Sequence, residues 1–385
     1  QPANGSANSI EEALGEAHNI GYPVLVRPSF VLGGRAMRIV YDDEALEEFM
    51  QEAKEVSQEH PVLIDQFLQD AVEVDVDAVS DGQLTVIGGI MEHVEEAGVH
   101  SGDSACVLPP HTLDDNIIDT IRKTAFALSK ELKVKGLMNI QFAVKKDTVY
   151  VLEVNPRASR TIPFVSKTIG VPLAKIASKV MVGESLKALD FTEEKKINHV
   201  SVKESVLPFS RFSGVDIILS PEMKSTGEVM GIDTSFGRAF YKSQLAANQG
   251  LPRKGTVFIS VKSGDKRNIV FIAKKLSDLG FDIVATKGTY KAFHSNNIPA
   301  QVVGKISEGD TKLLDMIRSG TIKLVINTPS GKKGQSDMKP IRSLATMQGI
   351  PCITTIQGAQ AAVNGIESII KEDFEVKPMQ EYFTN

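Results

Sequence analysis

Oxygen-bearing and cationic side chains are concentrated in residues 151–165, VLEVNPRASRTIPFV. If VYVLEV forms a β-strand, alternate side chains share a face, so Glu153 and Asn155 point the same way. Arg157 and Arg160 follow at once and supply planar, permanently charged donors of the kind that bind phosphate. This stretch therefore predicts a site for a phosphate-bearing ligand.

The preceding segment predicts how a third oxygen donor joins this set. In MNIQFAVKKDTVYVLEV two β-rich runs flank a short polar stretch, which predicts an antiparallel hairpin. Folding about Asp147 places Gln141 opposite Glu153. Together with Asn155 they form a hard-oxygen set that suits Mg²⁺ or Mn²⁺ and not zinc. We predict a metal–nucleotide phosphoryl site, with a hairpin and polar exit loop as the simpler alternative.

A second candidate is the loop SFVLGGRAM, which lies between two predicted strands. Gly33 and Gly34 would let backbone amides approach a phosphate chain closely. Arg27 and Arg35 would supply positive charge. A glycine pair between strands is also typical of an ordinary hairpin turn, so the pattern alone leaves both interpretations open.

The composition is that of an ordinary globular protein: 385 residues, 42% hydrophobic and 24% charged, enough for two or three domains. Cys106 and Cys352 lack metal-site spacing, which indicates a reduced, cytoplasmic compartment. Without an apolar run of membrane length or a signal peptide, we expect no membrane association. The chain also lacks the basic, aromatic-studded pattern of nucleic-acid binding.

Charge is unevenly distributed along the chain. Basic residues outnumber acidic ones from Lys254 onward, and acidic residues outnumber basic ones before it. This asymmetry favours a small anionic ligand in the C-terminal part, although ordinary surface variation is an alternative explanation.

Hydrophobic periodicity predicts the elements that position these residues. The first part alternates helices and strands, with a turn at Asp81-Gly82 and mixed short strands and loops over 187–247. The helices are predicted over 9–19, 43–58, 114–132 and 166–186, the last with a break between segments at GVPL. The strands are predicted in PVLVRPS, RIVY, VLIDQFL, VEVDVDAVS, LTVIGGIMEHV and the hairpin.

The tract NQGLPRKG, residues 248–255, has the composition of a linker. Beyond it, strand and helix patterns alternate regularly, which predicts a doubly wound α/β domain with a mostly parallel sheet. The strands are TVFISV, FDIVAT, AQVV, KLVINT and PCITT, with helices over 265–279, 289–296, 310–318, 337–348 and 357–370. Ligands in such sheets bind beyond the carboxyl ends of strands, so loops 285–289 and 326–331 are candidate binding loops.

Several motifs together resemble the second ATP-grasp domain of carbamoyl phosphate synthetase large subunits. They are PVLVRPSFVLGGRAM, DQFLQDAVEVDVDAV, EHVEEAGVHSGDSACVLPP, GLMNIQFAV and LEVNPRASRTIPFVSKTIGVPLAKIA. The tract KESVLPFSRFSGVDIILSPEMKSTGEVMGID resembles that subunit in particular. The C-terminal α/β unit is similar to its allosteric domain, which has the methylglyoxal synthase-like (MGS-like) fold.

The resemblance implies a fold of mixed α/β and α+β class with three parts. Residues 1–186 would form an N-terminally truncated ATP-grasp domain, 187–250 the remainder of the synthetase domain and a linker, and 251–385 the MGS-like domain. Since family members would have passed an earlier segment before QPANGSANS, we expect a fragment.

The resemblance also implies nucleotide-binding roles. Arg27 would contact phosphate and Glu73 the ribose hydroxyls, while the peptide around Gln66 and Leu68 would hold adenine. His100 in GVHSGD would line the pocket, although a structural hydrogen-bonding histidine is the alternative. The nucleotide-binding positions predicted from residues and resemblance together are Arg27, Gly33, Gly34, Gln66, Leu68, Glu73, Gly98, Val99, His100, Ser101, Gln141 and Glu153.

Five residues picked out by the hairpin argument match the family's reaction centre. Gln141, Glu153 and Asn155 correspond to its metal ligands. Arg157 and Arg160 correspond to its phosphate- and substrate-facing arginines. The family's second large-subunit half phosphorylates carbamate with ATP, which requires screened charge and excluded water rather than covalent help. We therefore assign no general base.

The implied activity is formation of carbamoyl phosphate for pyrimidine and arginine biosynthesis, with ATP and Mg²⁺ or Mn²⁺ as cofactors. The glutaminase small subunit and the rest of the large subunit would be partners that generate carbamate, so the fragment alone should not perform the full reaction. Alternatives are another ATP-grasp ligase, a methylglyoxal synthase, or a regulatory nucleotide-binding module with an inactive ATP-grasp part.

The C-terminal unit would bind a UMP-type effector. The matching positions are Lys266, Thr286, Thr289, Lys305, Asn327 and Thr328. Such residues suit a phosphate, although they also simply cap helices. Pro329 stands where the family pattern continues with threonine. An ornithine-type activator site is partly matched by Glu95, Asp103, Glu204 and Thr354. Cys352 replaces its tyrosine, and phosphoribosyl pyrophosphate is the alternative activator.

Overall fold

The chain divides into two compact units. The computed structural model describes residues 1–29, 34, 36–56, 61–212, 214–304, 306, 309–329 and 331–383, with the backbone alone over 54–56 and 331–337. The first unit comprises 1–198, 219–224 and 379–385, and the second comprises 199–218 and 225–378. The predictions at Gly33, Arg35 and Lys305 lie outside the described residues, and the predicted domain boundaries stay predictions.

The first unit begins with a four-stranded antiparallel sheet of order β1-β4-β2-β3. Its strands are β1 (Asn4–Ala7), β2 (Val24–Pro28), β3 (Arg38–Val40) and β4 (Val62–Gln66), with helices α1 (Ile10–Ile20) and α2 (Asp43–Val56). The Ser9 side chain accepts a hydrogen bond from the backbone N–H of Glu12 and so caps α1. Alternate residues of β2 and β4, such as Val26 and Ile64, are buried against both helices.

A second antiparallel sheet in this unit contains the predicted hairpin. Its strands run in the order β7-β6-β5-β8-β9. They are β5 (Val72–Asp81), β6 (Thr85–Glu96), β7 (Cys106–Leu108), β8 (Lys135–Lys145) and β9 (Thr148–Asn155). Helix α3 (Asp115–Glu131) packs its buried Ile121 and Ala125 against Val76 and Phe142. The unit continues with α4 (Ile162–Ile169) and α5 (Leu173–Met181).

The second unit carries an antiparallel pair and a parallel sheet. Strands β10 (Val200–Val206) and β11 (Gly227–Asp233) pair, and α6 (Phe236–Ala246) follows. The parallel sheet has the order β14-β13-β12-β15-β16. Its strands are β12 (Thr256–Ser260), β13 (Asp282–Thr286), β14 (Gln301–Val303), β15 (Ile322–Asn327) and β16 (Cys352–Ile353).

Five helices complete the second unit. They are α7 (Lys266–Asp278), α8 (Lys287–His294), α9 (Lys312–Arg318), α10 (Gly331–Met347) and α11 (Ile356–Lys371). The prediction of a doubly wound parallel sheet is confirmed. The chain leaves central strand β12 on one side and returns to pair β15 on the other, so the strand order reverses between β12 and β15. Such a reversal opens a crevice beyond the strands' carboxyl ends.

The periodicity missed three short or weakly patterned elements, β1, β7 and α6. The predicted helical region over 166–186, with its break at GVPL, is confirmed as the two helices α4 and α5, although α4 begins earlier, at Ile162. These helices are separate because Gly170 ends α4 in the left-handed conformation, at φ +70, and Pro172 follows two residues later. Among the described residues, no helix is both long enough and apolar enough to cross a membrane.

The β-sheet core around α3 predicts a stability difference between two phenylalanines. Phe142 is 0% exposed, whereas Phe126 on α3 is 42% exposed. Phe142→Ala should lower the free energy of unfolding by about 3–5 kcal/mol through lost burial and a new cavity. Phe126→Ala is the matched control and should change it by less than about 1 kcal/mol. Urea denaturation of both variants tests this, and equal effects would contradict the packing.

Candidate functional site

The predicted hairpin pairs Gln141 with Glu153 through a bulge. Near the turn, Lys145 pairs with Thr148 and the register continues regularly to Phe142 opposite Val151. The register then shifts so that Leu152 has no direct partner and Gln141 lies opposite Glu153. The predicted pairing is confirmed, because the bulge compensates for a turn one residue tighter than the symmetric fold about Asp147.

Polar side chains from three adjacent strands share one face of this sheet. Two cross-strand rows are formed by Asp75, Gln141 and Glu153 and by Asp77, Asn139 and Asn155. Intervening residues such as Val76 and Ile140 point to the opposite face and pack in the core beneath α3. The alternation therefore concentrates carboxylate and amide oxygens on one face.

The three predicted metal ligands lie together on this face. Gln141 and Glu153 are cross-strand neighbours, and the side-chain amide of Asn155 donates to Glu153 Oε1 at 2.7 Å. Because that bond uses the side-chain nitrogen, the side-chain oxygen Oδ1 of Asn155 is available to a cation. The donor set fits a hard divalent ion, whose ligands in proteins are oxygens. The ligand roles themselves stay a prediction.

Asp77 holds the segment that carries the two arginines. Its carboxylate accepts hydrogen bonds from the hydroxyls of Ser159 (2.7 Å) and Thr161 (2.5 Å) and from the amide of Asn139 (3.0 Å). Burial raises the pKa of Asp77 from 3.8 to about 6, although the three hydrogen bonds favour the charged carboxylate. Asp77 thus fixes both ends of the turn around Arg160.

Arg160 lies directly against the GVHSGD loop. A Cβ built on Gly102 would lie 1.1 Å from an Arg160 guanidinium nitrogen, so the guanidinium occupies the space that a side chain at position 102 would fill. The exposed Arg157 donates to the Ala158 carbonyl at 3.0 Å. Folding therefore brings together two segments that the sequence identified separately.

His100 is a structural hydrogen-bonding residue of the GVHSGD loop, and its predicted pocket role stays a prediction. Its ring Nδ1 accepts from the backbone N–H of Gly102 at 3.0 Å, and the backbone N–H of His100 donates to the Ser220 carbonyl at 2.9 Å. Burial, followed by nearby Arg160, lowers the pKa of His100 despite the opposing effects of acidic neighbours. The lowered pKa favours the neutral ring, and because Nδ1 accepts a hydrogen bond, the ring proton lies on Nε2.

Glu73 lies on the same sheet face as the two cross-strand rows, and it contacts the GVHSGD loop through Gly98. Its Oε1 accepts the Gly98 N–H at 3.1 Å, and its Oε2 lies 3.7 Å from His93 Nδ1. Burial raises the pKa of Glu73, partly offset by His93. Burial opposes the charged form of His93, but Cys106 and Asp75 outweigh it and raise its pKa well above the usual range.

The predicted adenine-binding peptide is adjacent to this loop. A Cβ on Gly98, whose φ is +100, would contact the Phe67 ring, which lies between Gln66 and Leu68. Leu68 is buried with Ala71 and Ala143, so it fixes the peptide by packing. Folding thus brings the 66–68 peptide beside Gly98 of the GVHSGD loop.

Arg27 and Gly34 have partners that the sequence did not reveal. The Arg27 Nε donates to Asp65 on β4 at 2.8 Å, which leaves other guanidinium N–H groups for a phosphate. A Cβ on Gly34 would lie 1.9 Å from the Pro221 carbonyl oxygen. The glycine is therefore required by a close backbone approach, whether or not a phosphate binds there.

In the second unit, the predicted effector residues cluster around the carboxyl end of β12. The Asn327 amide donates to the Ser260 carbonyl at 2.8 Å, and Thr286 Oγ1 lies 2.9 Å from Ser260 Oγ. Thr289 Oγ1 accepts from Val261 N at 3.2 Å, and Thr328 Oγ1 accepts from Lys262 N at 3.0 Å. The Lys266 ammonium lies over Gly288 at the start of α8. All five described positions therefore adjoin the crevice of the parallel sheet.

Three acidic or imidazole residues of the first site were missed by sequence reasoning. Asp75 and Asp77 alternate with valines in VEVDVDAVS, and His93 lies opposite Cys106 in the β6–β7 pairing. Strict alternation is typical of a half-exposed strand, yet Asp75 is 2% and Asp77 0% exposed. The available signal was the match in spacing between these acids and the oxygen donors of the hairpin.

Each of the two units contains a region that matches a family model. Residues 1–189 match the family model described as the carbamoyl-phosphate synthase L chain, ATP binding domain, and residues 268–354 match the MGS-like domain. The crystal structure of the biotin carboxylase–β,γ-ATP complex from Campylobacter jejuni is similar in fold. It has a TM-score of 0.51 and 18% identity over 64% of this chain and 62% of that chain.

Two relatives specify the family. The chain is 57% identical over 383 residues to the carbamoyl phosphate synthase large chain of Archaeoglobus fulgidus, covering 99% of this chain and 36% of that one. It is 56% identical over 392 residues to the C-terminal section of the large chain of Methanocaldococcus jannaschii, covering 99% and 63%. The chain belongs to the carbamoyl phosphate synthase large chain family and spans about a third of the length of the first relative. The predicted ATP-grasp and MGS-like folds are confirmed.

Asp77 should make the free energy of unfolding depend on pH. Its pKa is about 6 in the folded chain against an ordinary 3.8, so the folded state binds more protons between these values. The resulting stabilisation is fully present below about pH 4 and is lost as pH rises through about 6. The Asp77→Asn variant has no carboxyl group to ionise at this position, so it does not lose this stabilisation. Its free energy of unfolding relative to wild type should therefore rise from pH 4 to 7. Urea denaturation across this range measures the difference, and a constant difference would refute the shift.

Proposed function

We propose that the chain is the part of a glutamine-dependent carbamoyl phosphate synthetase that phosphorylates carbamate with ATP and binds a nucleotide effector. The observation that carries this proposal is the pair of cross-strand rows of oxygen donors beside Arg157 and Arg160. Membership of the family supports the same reaction. The glutaminase small subunit and the rest of the large chain would supply carbamate, for pyrimidine and arginine biosynthesis.

ATP would lie along the face that carries Glu73 and Glu153. The peptide 66–68 and the loop 98–101 adjoin each other and would hold adenine and ribose. Glu73, oriented by the Gly98 N–H, would accept hydrogen bonds from the ribose hydroxyls. The polyphosphate would then extend toward Gln141, Glu153 and Asn155.

Mg²⁺ or Mn²⁺ would be held by Gln141, Glu153 and Asn155. Such an ion supplies screening of the negative charge on phosphate oxygens. Arg157 and Arg160 would orient the transferred phosphoryl group and the carbamate through charge-assisted hydrogen bonds. Since phosphoryl transfer is governed by alignment and electrostatics, these residues suffice without a general base.

A UMP-type effector would bind at the carboxyl end of β12. Thr289 and Thr328 already accept backbone N–H groups, so each hydroxyl hydrogen is directed to another acceptor such as phosphate. Lys266 would contribute positive charge, as would Lys305, which lies outside the described residues. This site belongs to a different unit from the phosphoryl site, so the two can be tested separately.

Removing one metal-binding carboxylate should abolish the reaction and spare the effector site. In the complete synthetase, Glu153→Gln should lower carbamoyl phosphate formation by at least about 100-fold, because charge neutralisation at the metal is lost. UMP affinity should stay within about twofold of wild type. Glu131→Gln, at an exposed position on α3, is the matched control. Unchanged turnover in Glu153→Gln would reject its assigned role.

Calorimetry on the chain itself distinguishes the enzyme part from a purely regulatory module. The proposal expects ATP with Mg²⁺ to bind in the absence of UMP, and UMP to bind in the absence of ATP. Glu153→Gln should weaken binding of ATP with Mg²⁺ by about tenfold or more, since a metal ligand is removed. Binding of UMP without any binding of ATP would favour the module with an inactive ATP-grasp part.

A further inference from the structure

Helix α10 contributes a fully buried arginine to the second unit. Arg342 is 0% exposed, although its guanidinium is charged at any physiological pH. Burial of a charge is tolerated only where partners neutralise it and satisfy its donors. The identity of those partners therefore indicates what the residue holds in place.

Arg342 connects an effector residue to a segment that precedes the α/β domain. Its Nε and Nη2 donate to the two carboxylate oxygens of Asp216, at 2.8 and 2.5 Å, in a bidentate pair. Its Nη1 donates to Asn327 Oδ1 at 2.7 Å. Because the Asn327 amide also donates to Ser260, both ends of its side chain are fixed.

The backbone around Asp216 is fastened to the same helix. The N–H of Gly214 donates to the Ser343 hydroxyl at 3.2 Å, one residue beyond Arg342. Asp216 itself is partly exposed, at 26% of its side chain, whereas Arg342 is not. The carboxylate therefore serves as the counter-charge that lets the guanidinium reach Asn327 inside the unit.

The chain after Asp216 passes from the second unit into the first. Residues 216–218 belong to the second unit and 219–224 to the first. Within the first unit, the Ser220 carbonyl accepts from His100 N at 2.9 Å, and Lys224 N donates to the Asp103 carboxylate at 2.7 Å. The segment 216–224 is thus hydrogen-bonded at one end to the effector site and at the other to the GVHSGD loop.

We propose that Arg342 and Asp216 form a positioning pair that transmits effector binding along segment 216–224 to the ATP pocket. This inference rests on the proposed function of both sites. An effector that draws on Asn327 changes the acceptor offered to Arg342. The bidentate pair passes that change to Asp216, and nine residues of chain carry it to His100 and Asp103.

The test measures coupling separately from binding in the complete synthetase. Asp216→Asn should leave the activity without UMP within twofold of wild type and UMP affinity within threefold. The change that UMP causes in the KM for ATP should fall at least fivefold, since one carboxylate oxygen and the counter-charge are lost. Asp315→Asn is the matched control, because Asp315 pairs with Arg318 on the surface of the same unit. Full coupling in Asp216→Asn would overturn the proposal.

A measurement on wild type keeps the proposal testable if Asp216→Asn does not fold. Hydrogen exchange with and without UMP should change the protection of amides in 216–224, with no change in α1 as an internal reference. If UMP binds and this segment is unaffected, the transmission route is wrong while the effector site stands. If UMP does not bind to wild type, the proposed effector function itself fails.

Discussion

Pairing between β5, β8 and β9 is the constraint on which the proposed phosphoryl site depends. Their alternation sends Val76, Ile140 and Phe142 to the core under α3 and leaves acids and amides on the other face. A slip of one residue would exchange the two faces, burying carboxylates among aliphatic side chains. The hydrophobic core therefore determines where the oxygen donors lie.

Much of this arrangement is readable from the sequence, because two-residue periodicity and turn residues are local signals. The hairpin, most helices and the parallel sheet follow from them. The burial of Asp75 and Asp77 does not, since it depends on which strands become neighbours. The Gln141–Glu153 pairing was predicted correctly, although the turn is one residue tighter than the symmetric fold about Asp147. A bulge at Leu152 compensates for this difference.

The prediction of an effector site shows a similar limit. Loops 285–289 and 326–331 could be identified because a parallel sheet places strand carboxyl ends at one edge. The partner of Asn327 could not, because Arg342 is on α10 and its counter-ion Asp216 precedes the linker predicted over 248–255. An arginine in a mostly polar helix has no local feature that distinguishes it from a surface residue.

The nine-residue stretch 216–224 has a consequence for engineering. Asp216 at one end bonds Arg342, and Lys224 at the other end bonds Asp103, both far away in the chain. The length and sequence of the stretch are therefore matched to two separate sets of partner residues. A chimera that joins the regulatory portion of one relative to the catalytic portion of another at a boundary near 250 would separate Arg342 from its native carboxylate. Taking residues 214–224 from the same parent as the regulatory portion keeps Arg342, Asp216 and the connecting chain from a single parent.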